Sequence, residues 1–257
     1  MKKIILAGLL IIVAFGARTQ DFYFVQISDT HLGYKNHDEL SMKVAESVNN
    51  LPFDLRAVIV TGDMFQDNIH EPQARQSFRE FRDAFHDPVK FLPGNHDLLP
   101  ERYDEHQTLY QDYVGGLNHV FSVDSVVFLM YYSIPHADTS LSDYQQQKTW
   151  FEYSMKMYSH RPVIVCHHQP SVIDFYNNAT HESWPESERM WWSDILNQYG
   201  VEAVICGHFH RNELHWLDSV PVYVASSVAG FWGRQASYRI YHYQDGKLSF
   251  NTVYINE

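Results

Sequence analysis

Five short apolar runs, each ending at a polar cluster, constrain this chain more than any other feature of its sequence. Each run is rich in β-branched or aromatic residues and stops at a segment that contains Asp, Asn or His. The runs cover residues 22–27, 57–61, 89–92, 163–166 and 203–206. Side chains able to bind metal or move protons follow each predicted strand, which predicts a site at one edge of a sheet.

Helix-like stretches separate the first three runs, at residues 38–49 and 71–85. In the second stretch Pro72 falls in the first turn, and Phe78 and Phe81 lie on one face. This alternation predicts βαβ units with parallel strand pairing. Further helices are predicted near 142–158 and 186–198, and hairpins near 120–132, 214–225 and 238–255. We therefore expect two sheets packed face to face, with helices outside.

The composition favours a globular enzyme-sized domain. Of the 257 residues 45% are hydrophobic and 19% charged, enough apolar side chain for a large core. No repeat or linker marks a second domain, and the least regular stretch, 170–185, is a candidate active-site loop. The formal net charge of -12 would repel nucleic acid or an anionic membrane surface, so no nucleic-acid partner is expected.

The first residues resemble a secretory signal peptide. Lys2 and Lys3 precede an apolar run from 4 to 15, and small residues follow. We predict a signal peptide at 1–20, a mature domain at 21–257, export to the periplasm or the outside, and no stable membrane insertion after cleavage. A buried N-terminal helix or an uncleaved anchor is the alternative. Cys166 and Cys206 are predicted to be buried free thiols, although a single bridge stays open.

The polar clusters contain side chains suited to metal binding. After the first run, Asp29 and His31 stand two residues apart, so in extended backbone both would point to the same face. Asp63 follows Gly62 after the second run. Each of these two pieces alone is a weak signal, because ordinary turns also contain Asp and His.

The later clusters are more specific. The third run leads into Gly94-Asn95-His96-Asp97, which places an amide, an imidazole and a carboxylate on consecutive residues. The pair His167-His168 comes before Pro170, and Gly207-His208-Phe209-His210 follows the last run. Chance rarely collects five such clusters at strand ends, so the set predicts a metal site without thiolate ligands.

In content and order these motifs resemble the calcineurin-like metallophosphoesterase family, over about residues 22–210. The resemblance implies an α/β fold, a four-layer α/β/β/α sandwich of two mixed sheets, with a dinuclear metal site at the carboxyl ends of the strands. It also implies the metal ligands. One metal would be held by Asp29, His31 and His210, the other by Asn95, His168 and His208, with Asp63 bridging both; His167 is the alternative to His168.

The resemblance also implies roles for His96 and Asp97. His96 would steady the transferring phosphoryl group or protonate the leaving oxygen, and Asp97 would hold the imidazole. Gln66 stands where purple acid phosphatases have an iron-binding Tyr, three residues after the bridging Asp, so a coloured Fe(III) enzyme is not expected. Two divalent ions are expected, and the ligands allow Mn, Fe, Zn, Co or Ni.

The predicted function is hydrolysis of phosphomonoesters or small phosphodiesters by metal-activated water. The alternatives are a non-catalytic module with the same fold, and a nuclease, which would want a basic groove that this acidic chain lacks. Arg211 and Arg234 are candidate phosphate contacts. Aromatic segments are candidates for stacking on the substrate, and they lie at 175–176, 184, 191–192 and 231–232. The oligomeric state is left open.

Overall fold

The computed structural model describes residues 20–176 and 178–256. The predicted signal peptide, 1–20, falls almost entirely on residues outside this part, so its cleavage stays a prediction. No helix in the described ranges is long and apolar enough to cross a membrane.

The first sheet contains the amino-terminal βαβ units. Its strand order is β13-β12-β1-β2-β3, in which β1, β2 and β3 are parallel and β12 is antiparallel to β1. The strands are β1 (Asp21–Ile27), β2 (Leu55–Thr61), β3 (Val89–Leu92), β12 (Ser237–Gln244) and β13 (Lys247–Tyr254). The carboxyl ends of β1, β2 and β3 therefore meet at one edge.

The second sheet also combines parallel and antiparallel pairs. Its order is β10-β11-β9-β6-β5-β4, and the central strands from β11 to β5 are parallel. The strands are β4 (His119–Val123), β5 (Val126–Met130), β6 (Val163–Cys166), β9 (Ala203–Cys206), β10 (Glu213–Leu217) and β11 (Val220–Val224). A separate hairpin consists of β7 (Ile173–Tyr176) and β8 (Ala179–Glu182).

Helices cover the outer faces of both sheets. They are α1 (His37–Asn49), α2 (Pro72–Asp83), α3 (Tyr103–Tyr113), α4 (Ile134–Ala137), α5 (Tyr144–Tyr158) and α6 (Glu186–Gln198). In α2, Pro72 occupies the first turn, where its missing N–H costs nothing, and Phe78 and Phe81 are buried on one face. Residues from α1, α2 and α3 pack on the first sheet, and residues from α5 and α6 pack on the second.

A hydrophobic layer between the sheets completes the sandwich. Phe24 of β1 packs edge-on against Phe128 of β5 at 5.1 Å between ring centroids, and Ile164 and Ile205 belong to the same buried cluster. The order of layers is helices, sheet, sheet, helices, which confirms the predicted fold. Each sheet is buried on both faces, which explains why the sequences of its central strands are continuous apolar runs.

Three details differ from the sequence prediction or extend it. Helix α3 was not predicted, and the stretch 170–185, expected to be irregular, contains the β7–β8 hairpin. Cys166 and Cys206 are buried free thiols, as predicted. The predicted strands and the remaining long helices agree with the structure to within a few residues at each end.

Candidate metal centre

The predicted ligands lie on five loops that run side by side beyond the strand ends. Backbone hydrogen bonds tie the loops together, from Asp29 N to Gly62 O at 3.1 Å and from His31 N to Asp63 O at 3.0 Å. Across the two sheets, the backbone N–H of His208 donates to the Asp29 carboxylate. The loops therefore continue the order of the strands and bring separate motifs into one place.

The first group of converging side chains consists of Asp29, His31, Asp63 and His210. Each offers one ligand atom, and these atoms lie within 4.8 Å of one another. The Nε2 atoms of His31 and His210 face each other at 3.4 Å, and His210 Nε2 is 3.2 Å from Asp29 Oδ1. Two ring nitrogens and two carboxylates around one point form a donor set for a divalent cation.

A second group shares one residue with the first. Asp63, His168 and His208 also offer atoms within 4.8 Å of one another. His168 Nε2 lies 3.0 Å from Asp63 Oδ2 and 3.1 Å from Asn95 Oδ1, so the predicted amide belongs to the same cluster. Asp63 is common to both groups, and one carboxylate can bridge two ions.

The structure brings His168, rather than its neighbour His167, into the cluster. His168 Nδ1 is 2.7 Å from Thr61 O, a contact that turns Nε2 towards Asp63. His167 faces the other way, with Nδ1 3.1 Å from Ser133 Oγ and its ring 5.1 Å from Trp192. A ring nitrogen fixed by a backbone carbonyl is the arrangement that orients metal-binding histidines.

Five of the candidate ligands have a left-handed backbone conformation. The φ angles are positive, between 45° and 72°, at Asp29, His31, Asp63, His208 and His210. The expectation that Asp29 and His31 lie in extended backbone is therefore wrong, although their side chains do meet. Left-handed φ costs a non-glycine residue of order 1–3 kcal/mol and clusters at functional sites.

Glycines allow the loops to approach so closely. A Cβ on Gly94 would lie 2.1 Å from Asp63 Oδ1, and a Cβ on Gly207 would lie 1.8 Å from Ser28 Oγ and 2.7 Å from Asp29 Oδ2. Side chains cannot occupy these positions without moving the carboxylates. Both glycines are thus required by packing against the ligands.

The site keeps the Asp29 carboxylate charged and several imidazoles neutral. Burial alone would raise the pKa of Asp29, yet His210 and His168 lower it to about 2. Burial lowers the pKa of His31 to about 4 and that of His208 to about 3. Carboxylate and neutral imidazole are the forms that bind metal.

One buried oxygen also fits a bound cation. Asp63 Oδ2 is buried and lies 3.0 Å from His168 Nε2. This contact needs a proton on Nε2, because His168 Nδ1 already lies 2.7 Å from Thr61 O. Burial opposes a charge on His168, yet Asp63 raises its pKa to about 9, and a cation would take the place of that proton. The residues present therefore fit a pair of metal ions.

His96 lies beside the cluster, but its partner is not Asp97. Its Nδ1 is 2.7 Å from Asp67 Oδ1, and its ring is 5.2 Å from that of His31. Asp97 instead accepts hydrogen bonds from the backbone N–H of Phe65 at 2.8 Å and of Gly94 at 2.7 Å. The expectation that Asp97 holds the imidazole is wrong, because its carboxylate is used to brace two ligand loops.

Asp67 is the site residue that the sequence analysis missed. It follows Asp63 by four residues, in the same loop, and its φ is 61°. A second carboxylate in a strand-end loop was the only available signal. Burial opposes a charge on His96, but Asp63 and Asp67 outweigh it and raise the pKa of His96 above its usual value.

The aromatic candidates divide between core and site. Trp184 and Trp192 are buried under the second sheet, and Trp191 packs on the same cluster. The segment 231–232 lies against the cluster histidines, whereas the side chains at 175–176 lie outside those described.

The two arginine candidates are held by neighbouring groups. Arg211 pairs with Asp174 and Glu213. Arg234 donates to His210 O at 3.1 Å.

Two mixed sheets with a buried Asp–His centre at their carboxyl edge define a metal-binding protein of the four-layer sandwich class. The chain belongs to the calcineurin-like phosphoesterase family, whose sequence model matches residues 22–212. It is therefore a member of a family of phosphoric ester hydrolases, as predicted.

Two curated relatives are similar across most of the chain. The 3′,5′-cyclic adenosine monophosphate phosphodiesterase CpdA of Escherichia coli K12 is 27% identical over 208 residues, 75% of this chain and 71% of that protein. The serine/threonine-protein phosphatase CPPED1 of Danio rerio is 23% identical over 236 residues, 80% of this chain and 76% of that protein. Both relatives have the names of phosphoesterases.

Solved structures share the fold at low identity. A dimetal phosphatase from Danio rerio superposes with a TM-score of 0.61 at 14% identity, over 91% of this chain and 98% of that one. GAP50, the anchor in the inner membrane complex of Plasmodium, gives a TM-score of 0.68 at 11% identity, over 91% and 84%. At these identities the likeness concerns the fold alone.

Proposed function

We propose that this protein is an exported phosphoesterase that uses a dinuclear metal centre to hydrolyse phosphomonoesters or small phosphodiesters. The observation that carries the proposal is the pair of ligand groups that share Asp63. We assign Asp29, His31 and His210 to one ion and Asn95, His168 and His208 to the other, with Asp63 between them. When bound, two such ions acidify a shared water and neutralise phosphate charge.

The residues of the chain prepare the site for this chemistry. Burial of Asp29 and Asp63 keeps bulk water away from the ligands and strengthens their attraction for cations. Asp67 fixes the His96 ring through Nδ1, so Nε2 is the nitrogen left to face a substrate. A raised pKa favours the imidazolium, which donates a proton to the leaving oxygen or a hydrogen bond to the phosphoryl group.

Export is proposed from the first twenty residues, and the substrate class from the site and the relatives. The relatives' names include a cyclic nucleotide diesterase and a phosphoprotein phosphatase, so both ester types belong in the assay. The formal charge of -12 disfavours polynucleotides. A non-catalytic role is disfavoured by the presence of every ligand of both groups and of His96.

Metal reconstitution of the mature chain tests the proposal. Protein stripped with a chelator is refilled with Mn, Fe, Zn, Co or Ni and assayed with nitrophenyl phosphate and bis(nitrophenyl) phosphate, while bound metal is measured by mass spectrometry. We expect activity that returns with about two ions per chain. Absence of hydrolysis with every metal, in protein that binds two ions, would favour the non-catalytic module.

Variants separate the assigned roles. Asp63→Asn should lose bound metal. Its activity should fall by more than the roughly 10- to 100-fold typical of changes to residues that only support a metal ligand. His96→Ala should lower kcat by about 10²- to 10⁴-fold and leave the metal in place. The control is His160→Ala, an exposed histidine in the turn after α5. Export is tested by fractionating cells that express the full chain and sequencing the mature amino terminus.

A further inference from the structure

A strained turn lies beside the metal centre and exposes a tryptophan. Gly230, Trp232 and Gly233 all have left-handed φ, at 63°, 57° and 71°. For a bulky side chain such an angle is a rare outlier, and outliers of this kind cluster where function requires them. The turn leaves Trp232 66% exposed to solvent.

The turn is fastened to the candidate ligands. The Trp232 ring is 5.0 Å from that of His210, and the Phe231 ring is 4.9 Å from that of His31. Arg234 donates through Nη1 to His210 O at 3.1 Å, and its guanidinium lies 5.5 Å from the centre of the Trp232 ring. The indole is therefore held at a set place next to the cluster, while most of its area stays free.

We propose that Trp232 is a specificity-determining residue whose indole stacks on the base of a nucleotide ester bound at the metal centre. This inference rests on the proposed function and narrows its substrate class. Every nucleobase has a π-face, so stacking on an exposed aromatic ring recognises nucleotides without selecting one base. The contact between Trp232 and His210 places this platform within one side chain of a proposed metal ligand.

The chain contains a matched control for this tryptophan. Trp216, on the edge strand β10, is 60% exposed, close to the value for Trp232. Among the described residues it makes no ring contact with a candidate ligand, and its backbone pairs only with β11. Removing it changes exposed aromatic area as much as removing Trp232, but away from the centre.

Kinetics on two substrate pairs test the inference. AMP and 3′,5′-cyclic AMP carry a base, whereas glycerol 3-phosphate and glycerophosphoethanolamine do not. We expect Trp232→Ala to raise KM for the nucleotides by about 5- to 100-fold and to leave kcat/KM for the alkyl esters within about twofold. Trp232→Phe should retain most of the nucleotide preference, and Trp216→Ala all of it. Metal content and Tm equal to those of the wild type would exclude damage to the metal centre in a variant.

Binding of adenosine gives a readout without turnover. In saturation-transfer NMR, protons of the adenine ring should receive magnetisation from wild-type protein and from Trp216→Ala, and lose most of it in Trp232→Ala. Active enzyme whose nucleotide preference and adenosine signal survive Trp232→Ala would overturn this inference alone. Inactivity towards all four esters, in protein with two bound metals, would overturn the proposed function together with it.

Discussion

A single methyl group at Gly94 is expected to disable the metal centre. A Cβ there would lie 2.1 Å from Asp63 Oδ1 and 2.4 Å from Asp63 N, against an ordinary contact distance of 3.4 Å or more. The loops would have to separate by about 1.3 Å to admit it. Gly94 does not have a positive φ, so the cost of Gly94→Ala comes from this collision and not from its backbone conformation.

The size of the effect follows from the tolerance of the site. Metal sites accept ligand displacements of about 0.2 Å, and misplacing reacting groups by 1 Å costs about 10²-fold in rate. Gly94→Ala should therefore lower kcat/KM by about 100-fold or more, which corresponds to about 2.7 kcal/mol. Because Asp63 touches both ligand groups, both ions should be lost or bound more weakly.

The assay combines metal content, kcat/KM with a nitrophenyl ester, and thermal unfolding. Gly116→Ala is the control, since Gly116 also lacks a positive φ and its Cβ would meet only Asn118 O, at 3.4 Å. It should match wild type in all three measurements. If Gly94→Ala bound two ions and retained kcat/KM within threefold, Asp63 would not hold the position on which the proposed bridge depends.

Three other predictions concern histidines. Asp67→Ala should lower kcat by about tenfold or more with metal content unchanged, since it frees the ring of His96; loss of metal would contradict this role. His168→Ala should lose bound metal and His167→Ala should retain it, as measured by mass spectrometry, and the reverse result would exchange their roles. Burial lowers the pKa of His136 from 6.5 to about 4. Between these pH values the unfolded chain binds the extra proton, so the contribution of His136 to stability should fall by about 3 kcal/mol as pH drops from 6.5 to 4. Urea unfolding should show a smaller loss for His136→Asn, and parallel wild-type and variant curves would refute the assignment.

Parallel strand pairing made most of the centre predictable. Once β1, β2 and β3 read as strands of βαβ units, their carboxyl ends had to meet at one edge. The side chains that follow each strand then had to be neighbours, whatever their separation along the chain. The loops after β1 and β2 are hydrogen-bonded for this reason, from His31 N to Asp63 O at 3.0 Å. His210 meets Asp29 at 3.2 Å from the second sheet, because the two sheets pack face to face.

Helix α3 was missed because its buried face is not apolar. Tyr103, His106 and Tyr110 recur at helical spacing and are buried, but tyrosine and histidine do not count as apolar in a periodicity test. Tyr103 donates to Asp143 at 2.7 Å, so part of this face is held by hydrogen bonds. A buried face built from tyrosine and histidine leaves only a weak hydrophobic period to read.

The partner of His96 was misassigned because neighbours in sequence need not be neighbours in space. Residues 94–97 turn sharply, so consecutive side chains point in different directions, and Asp97 meets backbone N–H groups instead. Asp67 reaches His96 from another loop. That contact depends on a left-handed φ at Asp67, an angle that residue type alone does not dictate.

The left-handed φ angles at the ligands explain why the position of the site could be predicted from the strand ends but the shape of the loops could not. Local propensity disfavours positive φ at His31, His208 and His210, so nothing in the loop sequences themselves predicts their shape. Neighbouring strands hold the loops in place through pairs such as His31 N to Asp63 O. The backbone strain is therefore offset by the sheets. Two buried carboxylates of the centre, Asp29 and Asp63, also repel each other. Cations bound between them would remove that repulsion, so metal binding should stabilise the loops more than the strands that support them.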